Sequence, residues 1–195
     1  MNKLRQFFSD SNFYFCFFTD RKKVDIIKII SSLPENALVI FREYDLNYQD
    51  MLYLAQKIQK ICQKRNLKLI IGKDINLAKI VATSSIHFSD HDYFLDYFRK
   101  IRKFFPKDLF VTCSFHSEET LLKYQDLDLD IRFLSQIFKT TSNKDQKPLG
   151  IEFLKKLTEE KNIKICPLGG INIENIKELQ NLNISGIAGI DLFSV

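Results

Sequence analysis

Residues 166–175 read CPLGGINIEN: the apolar end of a strand, two glycines, and an asparagine where a helix would begin. Paired glycines at a strand end let the main chain approach a ligand with no Cβ in the way. A helix start just after them aims unpaired N–H groups at the same spot, which is a phosphate-binding geometry. The same residues also fit a tight strand-to-helix turn that needs φ > 0 twice. Gly169 and Gly170 therefore acquire a meaning only from the strands around them.

Outward from this stretch, short β-rich runs recur, each followed by a polar turn and a segment with helical spacing. They are FYFCFFT (13–19), ALVIFRE (37–43), LKLIIG (67–72), SIHF (85–88), LFVTCS (109–114), LDIRFLS (129–135), IKICPLG (163–169) and ISGIAGI (184–190). Between them the apolar period becomes helical. Met51, Leu54, Ala55, Ile58, Ile61 and Cys62 fall on one helix face, and Asn172 is a good N-cap for a helix carrying Ile173, Ile176, Leu179 and Leu182 on one side. The strands are nearly continuous apolar runs, as expected of a parallel sheet covered on both faces. Eight β-α steps of about two dozen residues each predict an α/β fold, a single (β/α)₈ TIM barrel rather than an open doubly wound sheet. After the eighth strand only Leu192 to Val195 remain, so the last helix is expected to be short or missing. A second subunit in a homo-oligomer would then cover the flank left bare. In such a barrel function sits at the carboxyl ends of the strands, and phosphate commonly binds after strands seven and eight. CPLGG is the end of strand seven.

A chain of 195 residues, 45% hydrophobic, is long enough for one domain with a substantial core and too short for two ordinary ones, so residues 1–195 are read as one unit. No stretch reaches the length of a membrane span, and MNKLRQFFSDSN has no cleavable apolar leader; a cytoplasmic protein is expected. Cys16, Cys62, Cys113 and Cys166 lack metal-ligand spacing and read as core thiols. The net charge of +5, from 29 basic and 24 acidic residues, is scattered along helical faces. No dense basic block or aromatic-basic motif points to nucleic acid, whereas a small anionic ligand fits.

The residues following each strand can meet over the barrel mouth. Arg42, ending an apolar strand, needs an anion or a carboxylate: it is either a phosphate ligand or the partner of Asp20 or Glu43. His116 in SFHSEE is a candidate base or a structural cap. His87 inside SIHF reads more readily as a satisfied core histidine. Asp90 and Asp92 could hold a divalent cation or form a turn and N-cap. Thr140 to Ser142 could donate hydroxyls to phosphate oxygens or simply cover the rim.

In order along the chain, FFTDR, IFREY, IGKDINLA, IHFSDHD, TCSFHSEE, SQIFKTTSN, LGGINIEN and GIAGID resemble the landmarks of the thiamine phosphate synthase/TenI family. The resemblance covers essentially the whole chain, and its fifth and seventh landmarks are the most specific. It implies a transferase of thiamine biosynthesis, in which a thiazole phosphate attacks the methylene of a hydroxymethylpyrimidine pyrophosphate and expels pyrophosphate with magnesium help. By this resemblance Ser114 is the strand-five serine, Asp92 the second metal carboxylate, Thr140 and Ser142 the hydroxyls near the thiazole phosphate, and Gly169–Gly170 the phosphate turn. Arg42 is what remains of a pyrophosphate-binding trio whose other members fall at Ile40 and Tyr44. The family's Asn-Asp pair after strand three falls at Gly72 and Lys73, and lysine does not ligate magnesium. Its loop lysine falls at Asn143, with Lys144 next to it and Lys139 nearby. Asp191 stands where the family has serine, and a poorly solvated carboxylate there would repel a dianion by several kcal/mol. The metal-free alternative within the family is a TenI-like thiazole tautomerase, whose histidine falls at Gln136. A non-catalytic barrel that binds a phosphorylated ligand is the alternative from another class.

Overall fold

The computed structural model describes residues 4, 7–8, 13–91, 94–140, 146–160 and 165–194. Strands β1 (Tyr14–Phe18), β2 (Leu38–Phe41), β3 (Lys68–Gly72), β4 (Ser85–Ser89), β5 (Phe110–Phe115), β6 (Ile131–Ser135), β7 (Ile165–Leu168) and β8 (Gly186–Gly189) run parallel. They close in sequence order, β8 pairing back onto β1 with Tyr14 beside Gly186 and Cys16 beside Ala188. This is the expected TIM barrel. Gly186 allows the closure, since a Cβ there would lie 2.4 Å from the Tyr14 carbonyl oxygen.

The outer helices are α1 (Ile26–Ser32), α2 (Tyr48–Lys64), α3 (Ile75–Ile80), α4 (Phe94–Ile101), α5 (Glu118–Lys123) and α6 (Ile151–Glu160). Four of them start on a side chain that accepts a backbone N–H three residues on: Asp25 from Lys28, Asn47 from Asp50, Asp74 from Leu77 and Ser117 from Thr120. Each cap satisfies one of the amides a helix start leaves unpaired.

Alternation along the strands divides the core in two. Cys16, Phe18, Leu38, Ile40, Ile70, Ile131, Phe133, Cys166 and Ala188 fill the barrel interior, while Phe17, Val39, Phe41, Leu69, Ile71, Phe88, Val111 and Phe115 face the helices. Both faces are buried, which is why the strands read as unbroken apolar runs. The four cysteines are buried and none is in a disulfide, and burial pushes the Cys62 thiol up to about 12. No helix among the described residues is long and apolar enough to cross a membrane.

The segment after β7 departs from the expected α-helix. Asn172 does open it, its Oδ1 accepting from the amides of Glu174 and Asn175. Asn175 in turn accepts at its own Oδ1 from the Asn172 amide and donates its Nδ2 to the Gly170 carbonyl. These side-chain bonds compete with the helical ladder, and only a 3₁₀ turn follows, Ile176–Leu179. Ile176 and Leu179 are buried as their spacing predicts, but Ile173 is 45% exposed. After β8 the short helix expected there is a 3₁₀ turn, Asp191–Phe193, whose Phe193 packs edge-on against Phe17.

Candidate active site

The carboxyl ends of β2, β6, β7 and β8 surround a cavity of about 620 Å³, lined by Arg42, His116, Thr140, Gly169, Gly170 and Asp191 among others. Five sequence candidates thus share one mouth: Arg42, His116, Thr140, Gly169 and Gly170. Ser114 lies in the buried wall of β5, 5% exposed. Asp92, Ser142, Asn143 and Lys144 lie outside the described residues.

Both glycines have positive φ, +92° at Gly169 and +70° at Gly170. A Cβ on Gly169 would sit 2.7 Å from Gln136 Cβ, and one on Gly170 would sit 2.5 Å from the Lys139 carbonyl oxygen. The loop after β6 is laid directly on this turn, with Phe138 N donating to Gly169 O and Ile137 N to Leu168 O. The turn therefore needs glycine for conformation and for contact with the β6 loop, and it also faces the cavity. Among the described residues, no hydrogen bond uses the Gly170 amide.

Arg42 is half-buried, and the carboxylates proposed as its partners are engaged elsewhere. Glu43 accepts from the Arg21 amide and guanidinium, both at 3.1 Å, and Asp20 lies 3.8 Å from Lys23 Nζ. Arg42 donates its Nε to Thr19 O at 3.4 Å, and its guanidinium lies 5.3 Å from the centre of the Phe18 ring. Among the described residues it has no carboxylate partner. A partly desolvated guanidinium without a counter-charge favours an anion in the mouth. Asp191 opposes this less than its identity suggests, because its side chain is exposed and well hydrated.

Beneath the mouth, His87 on β4 is held at both ring nitrogens: Nδ1 lies 2.9 Å from Thr112 Oγ1 and Nε2 lies 3.2 Å from Ser114 Oγ. His87 and Thr112 are register partners on adjacent strands. Phe18 and Phe133 close on the imidazole edge-to-face. Burial, and then the positive charges of Arg42, His116 and Lys73, push the His87 pKa down to about 3. It is a neutral, satisfied core histidine, and through it the Ser114 hydroxyl is tied to the barrel interior.

His116 is not the cap of α5; Ser117 is. His116 instead gives Nδ1 to Asp90 Oδ1 at 2.6 Å, so Asp90 is its partner rather than one of a pair of open metal carboxylates. No single-residue signal marks this pairing, which follows from β4 and β5 being neighbours with Ser89 beside Ser114.

The described residues do not fit the magnesium that the resemblance implies. Lys73 occupies the first carboxylate position, its Nζ 5.3 Å from the centre of the Tyr44 ring. At Gly72 a Cβ would meet the Tyr44 hydroxyl at 2.2 Å. Tyr44 therefore takes the room a side chain at position 72 would need. Gln136, where the tautomerase histidine would fall, is buried and donates its Nε2 to Gln146 O at 2.6 Å.

Comparison with known proteins bears on the family and the fold. The family model described as thiamine monophosphate synthase, TMP-TENI, matches residues 15–193. The thiamine-phosphate synthase of Clostridium tetani is 33% identical over 177 residues, 88% of this chain and 83% of that protein. That of Ruminiclostridium cellulolyticum is 32% identical over 151 residues, 77% of this chain and 70% of the other. Among solved structures, thiamine phosphate pyrophosphorylase from Pyrococcus furiosus superposes with a TM-score of 0.75 at 19% identity, covering 92% of this chain and 86% of that one. At that identity the last comparison speaks to the fold.

Proposed function

Since the chain belongs to the thiamine monophosphate synthase/TenI family, we propose that it is an enzyme of thiamine biosynthesis that binds thiazole phosphate in the barrel mouth. The phosphate would rest on the Gly169–Gly170 turn beside Thr140 and Ser142, and Arg42 would take a second anionic group. The observation that carries this reading is the half-buried Arg42 guanidinium, which has no described carboxylate and lines the same cavity as the glycine turn.

The family reaction joins this ligand to a pyrimidine pyrophosphate. The thiazole nitrogen forms a bond to the pyrimidine methylene, the methylene–oxygen bond breaks, and pyrophosphate leaves with the electron pair. This chain's part would be to align the two rings and neutralise charge on the departing group through Arg42. Lys73 and Gly72, standing where the family's Asn-Asp pair would fall, offer magnesium no ligand.

A second reading is favoured by one observation: His116 lines the cavity, and its Nε2 has no partner among the described residues. A metal-free tautomerase acting on a thiazole carboxylate phosphate needs a phosphate anchor and a proton acceptor, roles that the Gly169–Gly170 turn and His116 would fill. The four buried cysteines, none of them in a disulfide, suit the reducing cytoplasm, where we put the reaction.

Two assays separate the readings. A synthase releases pyrophosphate and forms thiamine phosphate from the two precursors, whereas a tautomerase converts the thiazole carboxylate phosphate in the presence of a chelator. If neither turnover occurs but thiazole phosphate raises the melting temperature, the chain is a binding barrel. If thiazole phosphate neither stabilises it nor is turned over, the proposal is wrong.

A further inference from the structure

Asp90 sits at the end of β4 with its side chain wholly shielded from solvent. Its amide donates to Ser114 O at 2.9 Å, tying the loop to β5. Oδ1 accepts from His116 Nδ1 at 2.6 Å, while Oδ2 accepts from the His116 amide at 2.8 Å and from Thr120 Oγ1 at 2.5 Å. Both oxygens accept, Oδ2 from a backbone amide that can only donate, so the surroundings suit the carboxylate that an aspartate ordinarily is at neutral pH. An ionised carboxylate only accepts hydrogen bonds, so the proton of a neutral His116 must be on Nδ1 and the lone pair on Nε2. The exposed His91 ring stacks on His116 at 4.7 Å and 20°, limiting rotation of the imidazole. Nε2 has no described partner, and the ring lines the mouth.

We infer that Asp90 is a positioning residue that holds His116 as its Nδ1–H tautomer and thereby presents Nε2 as the proton acceptor for a ligand in the mouth. The inference rests on the tautomerase reading of this mouth, in which a bound ligand gives up a proton and takes it back at another atom. In the step it supports, a ligand proton passes to Nε2, and Asp90 offsets the imidazolium until the proton returns to another ligand atom. The other titratable or charged groups near this imidazole among the described residues are His91, stacked on it, the neutral His87 beneath it, and Arg42, Lys23, Asp20 and Asp191 around the cavity. Asp90, His91 and His116 also lie close enough to suggest a cation site. The two rings are stacked, however, so their in-plane lone pairs run side by side instead of converging on one ion.

The decisive experiment is ¹⁵N NMR of histidine-labelled full chain at mildly alkaline pH, with the His116 signals assigned from His116→Gln. Wild type is expected to show Nδ1 protonated and Nε2 bare, and a dominant Nε2–H tautomer would overturn the inference. This readout does not depend on any substrate, so it stands apart from failure of the functional proposal. Asp90→Asn, whose amide can donate to Nδ1, should shift the tautomer and lower kcat about 10²- to 10⁴-fold, as misplaced tautomers do in catalytic triads. Thiazole phosphate affinity should stay within about threefold, since the phosphate anchor is untouched. A purely structural Asp90 would instead lose melting temperature and ligand affinity together with the tautomer of His116 unchanged.

Discussion

Arg42→Gln separates an anion-binding guanidinium from a structural one. In the folded chain the side chain gives up a long bond from Nε to Thr19 O at 3.4 Å and a cation–π contact at 5.3 Å from the Phe18 ring centre. Contacts of this kind are worth about 0.5–1 kcal/mol each. The backbone bond from the Arg42 amide to Thr19 Oγ1 is kept. No carboxylate is stranded, because Glu43 stays paired with Arg21. Stability should therefore fall by about 1–2 kcal/mol at most, a few degrees of melting temperature. A charge-assisted bond to a bound anion is worth about 1.5–3 kcal/mol, so affinity for pyrophosphate or a doubly anionic thiazole ligand should drop roughly 10- to 150-fold. Thermal unfolding and calorimetric titration measure the two effects on one preparation, and the affinity difference should shrink at high salt. If the variant unfolds several kcal/mol more easily while binding the anion as well as wild type, Arg42 is a structural cation and the reasoning fails.

His87 makes stability depend on pH. Its pKa is lowered from 6.5 to about 3, so between those values the folded chain binds fewer protons than the unfolded one. Stability is then complete above pH 6.5 and falls as the pH drops toward 3; between pH 7 and pH 5 the loss should be about 2 kcal/mol. His87→Gln should flatten that slope in urea melts at the two pH values, and an unchanged slope would refute the assignment. Gly72→Ala places a Cβ 2.2 Å from the Tyr44 hydroxyl and 2.9 Å from Phe41 O; it should destabilise by about 1–3 kcal/mol, and by clearly less in a Tyr44→Ala background. Additive effects would mean that the two residues do not share the space. The four buried thiols should resist a thiol reagent in the native chain and all react after denaturation; a fast-reacting native thiol would contradict their burial.

The barrel was legible because its strands are covered on both faces, which turns each into an apolar run such as FYFCFFT or LFVTCS. The helix expected after Asn172 is a 3₁₀ turn for a specific reason. Ile176 and Leu179 satisfy a helical spacing and a 3₁₀ turn equally well, and the Asn172–Asn175 bonds that shorten the element are side-chain events. Gly169 and Gly170 were singled out for a ligand, yet the β6 loop pressed against them is an equally physical reason for glycine, visible only once β6 and β7 are paired. Whether Arg42 meets a carboxylate depended on Arg21, which captures Glu43 from another loop. The Asp90–His116 pair was hidden in the same way, since 26 residues separate partners that neighbouring strand ends bring together.

The measurement that bears most directly on the account is calorimetric titration of the full chain with thiazole phosphate in the presence of a metal chelator, beside Gly170→Val. The variant adds side-chain bulk at a position with φ +70° whose Cβ would lie 2.5 Å from Lys139 O, and circular dichroism would check that it stays folded. The account predicts saturable, metal-independent binding to wild type that the variant loses. No heat of binding to folded wild type up to millimolar ligand, or equal binding by a folded Gly170→Val, would contradict it.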